Sequence, residues 1–435
     1  MNVKRKKRLL VVSHVLPYPA DSGQQLRVLH TLRALKGRFH VTLLTFTSRS
    51  DRENAKELLS DICDETICLN SVYDRNFFTR AFHKIVGKVW SFVNSAKFSN
   101  YLIGRLELSP ERIRAVVRDR NFDVVVFEYW HSHNGAAVFQ ESGIPCVLDM
   151  HNILWRAFDQ QQTRTGLLPI SLVERRVQSY RLIEEKAWND FDGIIAINRE
   201  EEAYVKANLP CHKRIFYAPM GIDVRKWSYL WSPVNTPPRV AYYGALSSPH
   251  NQESAWQCYS EIMPTVWKRR PDAELWIIGS NPPGKLSELG RSDSRVRVTG
   301  FVDDVHSMLS NMSVVICPWK GKYGFRSRLI EIMATGVPLV TTPDAIDGME
   351  LTDGRELLLG ETSNELSNHV FKLLGDENFA IEQSRAARRK IEALYSCSMT
   401  YDRLAEDLDG WLTSEMAAHF ALGLQNSKSL NAIPS

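Results

Sequence analysis

The stretch Gly324-Phe-Arg326-Ser-Arg328-Leu-Ile-Glu331 brings a glycine, two guanidinium groups and an acid to the start of a short apolar segment ending at Gly336. That segment reads as a helix, because Gly336 supplies the stop and Val337 to Thr341 then reads as a buried strand. A helix N-terminus offers unpaired backbone N–H groups and the positive end of the helix dipole. With Arg326 and Arg328 added, it becomes a place to hold phosphate oxygens. Glu331, just inside the helix, can accept hydrogen bonds from a ribose diol. The combination suits a nucleoside diphosphate. The same residues would also form a solvated basic turn before an ordinary surface helix.

A second set of polar residues falls where strands should end. Glu128-Tyr-Trp-His131 follows the run Asp123 to Phe127, and Asp149-Met-His151-Asn152 closes the run Pro145 to Met150. In sheets built from β-α-β units, ligands bind outside the carboxyl ends of the strands, and His151 lies just past one. A structural histidine bonded to a carbonyl is the competing reading. Two glycines occupy similar places: Gly23 in the loop after the first strand, and Gly244 directly after Val240 to Tyr243. Each lets backbone approach a ligand closely, and each would equally serve a helix start or a turn.

The elements that must position these residues form two series. The first opens with a strand at Leu9 to Ser13, a loop through Gly23, a helix from near Gln24 and a strand at Val41 to Phe46. That helix carries Leu26, Leu29, Leu32 and Leu35 on one face. Further strands read at 123–127, 145–150, 193–197 and 214–218. Trp231-Ser-Pro-Val-Asn-Thr-Pro-Pro238 reads as a linker. Beyond it, strands read at 240–243, 274–278, 295–299, 314–317 and 337–341, several ending directly in Gly or Pro. Continuous apolar strands with helices between them imply parallel sheets covered on both faces. The expected fold class is α/β, with two Rossmann-like domains facing a cleft. The expected bounds are 1–230 and 231–398, with a helix at 399–422 packing back on the first domain and a flexible tail at 423–435.

Composition is consistent with this. The chain has 435 residues, 44% hydrophobic and 24% charged, enough for full-sized cores. A net charge of +4 over this length is too thin to imply nucleic-acid binding. Seven scattered cysteines without a Cys-x-x-Cys pair argue against a disulfide framework or a zinc site and fit a cytoplasmic location. The apolar run after the basic residues Lys4 to Arg8 is too short for a signal-peptide core. Between Phe77 and Phe98, apolar residues recur at helical spacing while Arg80, Lys84 and Lys88 line another face. Such a basic amphipathic helix either makes peripheral contact with the inner membrane face or packs on its own domain.

Taken together, the motifs resemble those of the retaining GT-B glycosyltransferases of family 4, also called group 1. In the first half the resemblance rests on Pro17-x-Pro19-x-x-Ser-Gly23-x-x-x-Arg27, Asp149-x-His151-Asn152, Asp192-Gly-Ile-Ile-Ala-Ile-Asn198-x-x-Glu201 and Pro219-Met-Gly221-Ile-Asp223. In the second half it rests on Tyr243-Gly244 followed by Asn251, Ile277-Ile-Gly279, and Val298-x-Gly300-Phe-Val302. The most specific part is Gly324-x-Arg326-x-Arg328-x-x-Glu331-x-x-Ala334-x-Gly336-x-Pro338-x-Val340. In this part the chain resembles the subgroup that carries Gly-x-Arg-x-Lys/Arg-x-x-Glu in place of a Glu-x7-Glu pair.

The resemblance implies a nucleotide-sugar donor held by the second domain and a glycan or glycolipid acceptor held by the first. It implies sugar transfer with retention in polysaccharide, glycolipid or other cell-surface glycan synthesis, with no metal and no other cofactor. By analogy Glu331 binds the ribose, Arg326 and Arg328 neutralise the diphosphate, and Gly23, Gly244 and Gly324 line the donor. His151 contacts the transferred sugar, so His151, Arg326 and Arg328 are the expected catalytic residues. The chain departs from the pattern at Tyr323, where many relatives carry a second acid, and at Met220, where an asparagine is familiar. The usual Arg and Lys are also absent from 245–254. Two alternatives share the fold: a catalytically silent nucleotide-sugar-binding or partner protein, and a nucleotide-sugar epimerase or hydrolase. A dinucleotide oxidoreductase is disfavoured, because neither half carries G-x-G-x-x-G with an acid about twenty residues on.

Overall fold

A computed structural model describes residues 5–20, 22–48, 52–165, 169–233, 237–321 and 325–414. The chain separates into two compact units: the part up to Pro219 together with the segment from Thr400, and Met220–Met399.

The first unit is built on a seven-stranded parallel sheet. Its strands are β1 (Arg8–Val12), β2 (His40–Thr47), β3 (Glu65–Asn70), β4 (Val124–Glu128), β5 (Cys146–Asp149), β6 (Gly193–Ala196) and β7 (Arg214–Tyr217), in the order β3-β2-β1-β4-β5-β6-β7. Leu9, Leu10, Val11 and Val12 are fully buried, as a central strand covered on both faces requires. Leu9 pairs with Val41 on one side and Val124 on the other. The order reverses between β1 and β4, which makes that gap the switch point where open α/β sheets bind ligands. β3 was not expected: it begins with an acid, ends with Asn and is mostly half-buried at the sheet edge, so it carries no continuous apolar run.

Five helices of this unit position the polar strand ends or form its outer surface: α1 (Gly23–Arg38), α2 (Phe77–Val93), α3 (Leu154–Thr165), α4 (Ile170–Trp188) and α5 (Arg199–Asn208). α1 begins at Gly23 because Ser22 and Gln25 form a reciprocal cap. The Gln25 N–H donates to Ser22 Oγ at 3.3 Å and the Ser22 N–H donates to Gln25 Oε1 at 3.2 Å. α2 ends at Val93, five residues before Phe98, with Ser95 in the left-handed region at φ 51°. The segment from Thr400 packs on this unit, with Lys7 Nζ donating to Asp409 Oδ1 at 2.6 Å and the rings of Phe216 and Trp411 5.7 Å apart.

The second unit carries a six-stranded parallel sheet. Its strands are β8 (Arg239–Tyr243), β9 (Glu274–Ile278), β10 (Val296–Gly300), β11 (Val314–Cys317), β12 (Leu339–Thr341) and β13 (Leu358–Leu359), in the order β10-β9-β8-β11-β12-β13. The switch point again falls where the order reverses, between β8 and β11. Two further helices matter here: α6 (Ser327–Thr335), stopped by Gly336 at φ 95°, and α7 (Glu377–Lys390). At the ends of β8 and β9 the backbones meet directly: a Cβ on Gly279 would lie 1.9 Å from the Gly244 carbonyl oxygen. Only glycine fits at that position.

The division between units falls at Pro219/Met220 and not at the proline-rich stretch around residue 231. The physical reason is that residues 220–231 are bonded to the second unit. The Ile222 N–H donates to Tyr395 O at 2.7 Å, and the Leu230 and Trp231 N–H groups donate to Thr335 O at 3.2 and 3.1 Å. Trp231 Nε1 donates to Met312 O at 2.8 Å. The Met220-Gly221-Ile222-Asp223 motif is therefore a structural strut, and Met220 is buried within it.

Candidate functional site

In the second unit the polar residues collect around α6, beside the carboxyl ends of β8 and β11. Arg326 occupies the N-cap position but does not cap the helix with its side chain. Instead Arg326 Nη2 donates to Gly321 O at 2.7 Å, with the guanidinium 5.0 Å from the centre of the Trp319 ring. Arg328 donates to Glu331 Oε2 at 2.9 Å and to the Tyr243 hydroxyl, its guanidinium 4.8 Å from the Tyr243 ring centre. Tyr243 in turn donates to Glu331 Oε2 at 2.7 Å. Glu331 is 4% exposed, yet it stands one turn inside the helix with a cation and a phenol on one oxygen.

Electrostatics tighten this triad. Burial works against the Arg328 charge, but Glu331 and Tyr243 outweigh it and raise its pKa. Burial first, and Glu331 second, raise the Tyr243 phenol above its ordinary value, so it stays a donor. A carboxylate has capacity for roughly four donors, so two contacts leave room for the two hydroxyls of a diol. Gly244 follows β8 at the same sheet edge and is buried; a Cβ there would lie 2.8 Å from the Tyr242 hydroxyl. Gly324 and Tyr323 lie outside the described residues.

In the first unit a buried cluster occupies the carboxyl ends of β1, β4 and β5, around that sheet's switch point. His151 follows β5 with φ 56°, an uncommon value for a non-glycine residue. Its Nε2 is hydrogen-bonded to Glu128 Oε2, and its ring stacks on Tyr129 with centroids 4.1 Å apart. Glu128 is almost fully buried; burial and then Asp149 raise its pKa, against His151 and Arg27, which lower it. His14, after β1, lies 5.0 Å from Tyr129 and 5.6 Å from His131 between ring centroids. Burial and then the neighbouring His151 push His14 down to about 4, so it is neutral near pH 7.

The segment carrying His151 is fixed from both sides. Asp149 is held by buried Arg27 of α1, with Nε 3.1 and 3.0 Å from its two oxygens and Nη2 2.8 Å from Oδ1. Arg27 Nη1 also donates to Ala218 O at 2.9 Å, tying α1 to the end of β7. On the other side, Glu184 of α4 accepts the Leu154 and Trp155 N–H groups at 2.9 and 2.7 Å, and Glu201 of α5 accepts the Ile153 N–H at 3.2 Å. Arg27, Asp149, Asn198 and Glu201, four residues of the sequence motifs, thus serve as struts. Asn198 caps α5 by accepting the Glu201 N–H at 2.8 Å.

Among the described residues, Glu128, Asp149 and His151 bring candidate metal-ligand atoms within 4.8 Å of one another. Asp149 receives Arg27 on both oxygens and His151 Nε2 is bonded to Glu128 Oε2, while the buried Glu128 Oε1 has no hydrogen-bond partner. Within the group, Asp149 is paired with Arg27 and Glu128 with His151.

The structure brings Arg328 and Glu331 into contact, with Arg326 and Gly244 at the same sheet edge. His151 and Gly23 both belong to the first unit, Gly23 as the first residue of α1. Sequence reading did not single out Tyr243 as a site residue, although it appears in a motif. Its contact with Glu331 spans 88 positions, a separation that no local pattern encodes. Glu128 and His151 were each visible as strand-end residues, but their pairing was not.

Two family descriptions match the chain: "Glycosyl transferase 4-like domain" over residues 22–221 and "Glycosyl transferases group 1" over residues 237–376. With two parallel-sheet α/β units, each polar at its switch point, these matches define a GT-B glycosyltransferase. The chain is 21% identical over 382 residues to an uncharacterized 44.6 kDa protein in the cps region of Klebsiella pneumoniae, covering 83% of this chain and 90% of that one. In structure it is similar to sucrose-phosphate synthase from Thermosynechococcus elongatus, with TM-score 0.64, 18% identity and coverage of 95% and 100%. It is also similar to Anabaena HepE in complex with UDP and glucose, with TM-score 0.60, 14% identity and coverage of 93% and 99%.

Proposed function

We propose that the chain moves a sugar from a nucleotide-sugar to an acceptor hydroxyl with retention of anomeric configuration, in the manner of family 4. The observation that carries this reading is the buried Glu331, held by Arg328 and Tyr243 just inside a helix whose N-terminus bears Arg326. In this reading Glu331 accepts the ribose hydroxyls. Arg326, Arg328 and the first backbone N–H groups of α6 receive the diphosphate. Gly244 gives the donor room, and Gly23 and Gly324 are the other donor-side glycines of this reading. The structure of HepE with UDP and glucose supports a nucleotide-sugar donor and makes UDP-sugars the first to try.

As the bond between the anomeric carbon and the phosphate oxygen breaks, its electron pair leaves with the diphosphate. The two guanidinium groups stabilise that charge, a role worth several orders of magnitude in rate where water is excluded. The acceptor oxygen then bonds to the anomeric carbon on the face just vacated, and its proton passes to the departing phosphate. In this reading His151 contacts the transferred sugar, and the acceptor is a glycan or glycolipid, in cell-surface glycan synthesis. The chemistry needs no metal in this reading.

The test is release of nucleoside diphosphate from a panel of nucleotide-sugars, with and without glycan and glycolipid acceptors, in chelator. Acceptor-dependent release, with a product of the donor's anomeric configuration by NMR, is expected. Equal release without acceptor would replace transfer by hydrolysis, and inversion would remove the proposed mechanism.

A further inference from the structure

α2 carries its apolar side outward. At roughly 100° per residue, Phe78, Phe82, Ile85, Val89, Phe92 and Val93 share one arc of this helix. All six are exposed, from 58% at Val89 to 86% at Phe92. The opposite side is the one that packs. Gly87 is the buried residue of the helix, and a Cβ there would lie 2.3 Å from the Phe98 ring and 2.6 Å from Tyr101. His83 Nδ1 reaches the Tyr101 hydroxyl at 2.8 Å on that side. A helix that only covered its own domain would turn the phenylalanines inward. This one rests on its glycine and presents them to the surroundings, a patch of the kind that marks an interaction surface.

The charges are one-sided. From Arg75 to Leu106 there is no acid; the charged residues are Arg75, Arg80, Lys84, Lys88, Lys97 and Arg105. Arg80 turns back to Asp74, and Lys97 lies over the Phe158 and Tyr180 rings. Lys84 and Lys88 remain exposed along one edge of the apolar arc, with Arg75 exposed just ahead of the helix. An apolar face edged by cations is complementary to an extended negative plane with acyl chains beneath it. A second copy fits poorly, because a two-fold contact between α2 faces would set these lysines near their own counterparts. No helix among the described residues is long and apolar enough to cross a membrane, so the contact lies in the interface.

We propose that α2 docks the first unit on an anionic lipid bilayer, with Phe78, Phe82, Ile85, Val89 and Phe92 among the upper acyl chains and Lys84 and Lys88 at the headgroups. The proposal stands on α2 alone and does not depend on the transfer reading.

The test is co-sedimentation of the full chain with phosphatidylcholine vesicles, with or without roughly one-third phosphatidylglycerol. Binding at least tenfold stronger to the anionic vesicles, weakening with salt, is expected. The combined variant F78S, F82S and F92S should lose binding with no fall in Tm, because these side chains are already exposed. K84E with K88E should lose the preference for anionic lipid. Failure of the wild-type chain to bind anionic vesicles would overturn the proposal, as would undiminished binding by the serine variant. A lipid-free dimer that the serine variant dissociates would also overturn it, by assigning the face to a second copy.

Discussion

Glu128 and His151 meet across the ends of β4 and β5, and their contact gives His151 a fixed ring orientation. Tyr129, stacked on the imidazole, restrains it from the other side. Glu128 is therefore expected to act as a positioning residue through His151. The Glu128→Gln variant keeps a hydrogen-bonding group but removes a buried carboxyl whose pKa burial has raised. Its kcat should fall at least about tenfold while donor KM and Tm stay near wild type. A fall in Tm with unchanged kcat would make the pair merely structural. At this scale the sequence was informative where chemistry is local. Arg326, Arg328 and Glu331 lie within one or two helical turns of each other, so their grouping could be read from spacing alone, and Arg328 and Glu331 are in contact. The contacts of Tyr243 and Glu128 were opaque because their partners come from other elements. Arg27 and Asp149 were legible as motif residues but not as struts, since burial cannot be read from residue type.

The elements around His151 place two buried acids where α3 begins. Burial pushes Glu184 up to about 8, against the Leu154 and Trp155 N–H groups that favour its charged form, and Glu201 up to about 7. Both folded values lie above the unfolded value of about 4.3. Below that pH both states are protonated and nothing is lost. As pH rises toward 8 the unfolded chain gives up protons that the folded unit retains, so stability falls across that window. The Glu184→Gln variant should match the wild-type Tm near pH 4.5 and exceed it by a few degrees, roughly, near pH 8.5. A difference that does not change with pH would show that Glu184 does not titrate this way. The fully covered strands were plain in the sequence because they are unbroken apolar runs. β3 was hidden by its half-polar edge position, and β13 by its two-residue length. The periodicity of α2 was readable, but which side faces outward depends on Gly87 packing against Phe98, a tertiary fact.

At the scale of the whole molecule, two series of strands and helices gave two parallel sheets, each with a switch point and a polar cluster beside it. The boundary was misread because proline marks a break in local structure, whereas the units are divided by where contacts thin out. Residues 220–231 bond to Thr335, Met312 and Tyr395, so they travel with the second unit. The claim on which the functional account turns is that this unit grips a nucleoside diphosphate through Arg326, Arg328 and Glu331. It is tested most directly by calorimetric titration of a panel of nucleoside diphosphates, in chelator, into the wild type and into Arg328→Ala and Glu331→Ala. The account predicts that at least one diphosphate binds the wild type and binds each variant at least about tenfold more weakly, about 1.4 kcal/mol, with the fold intact. Wild-type affinity in both variants, or no binding to the wild type by any member of the panel, would contradict it.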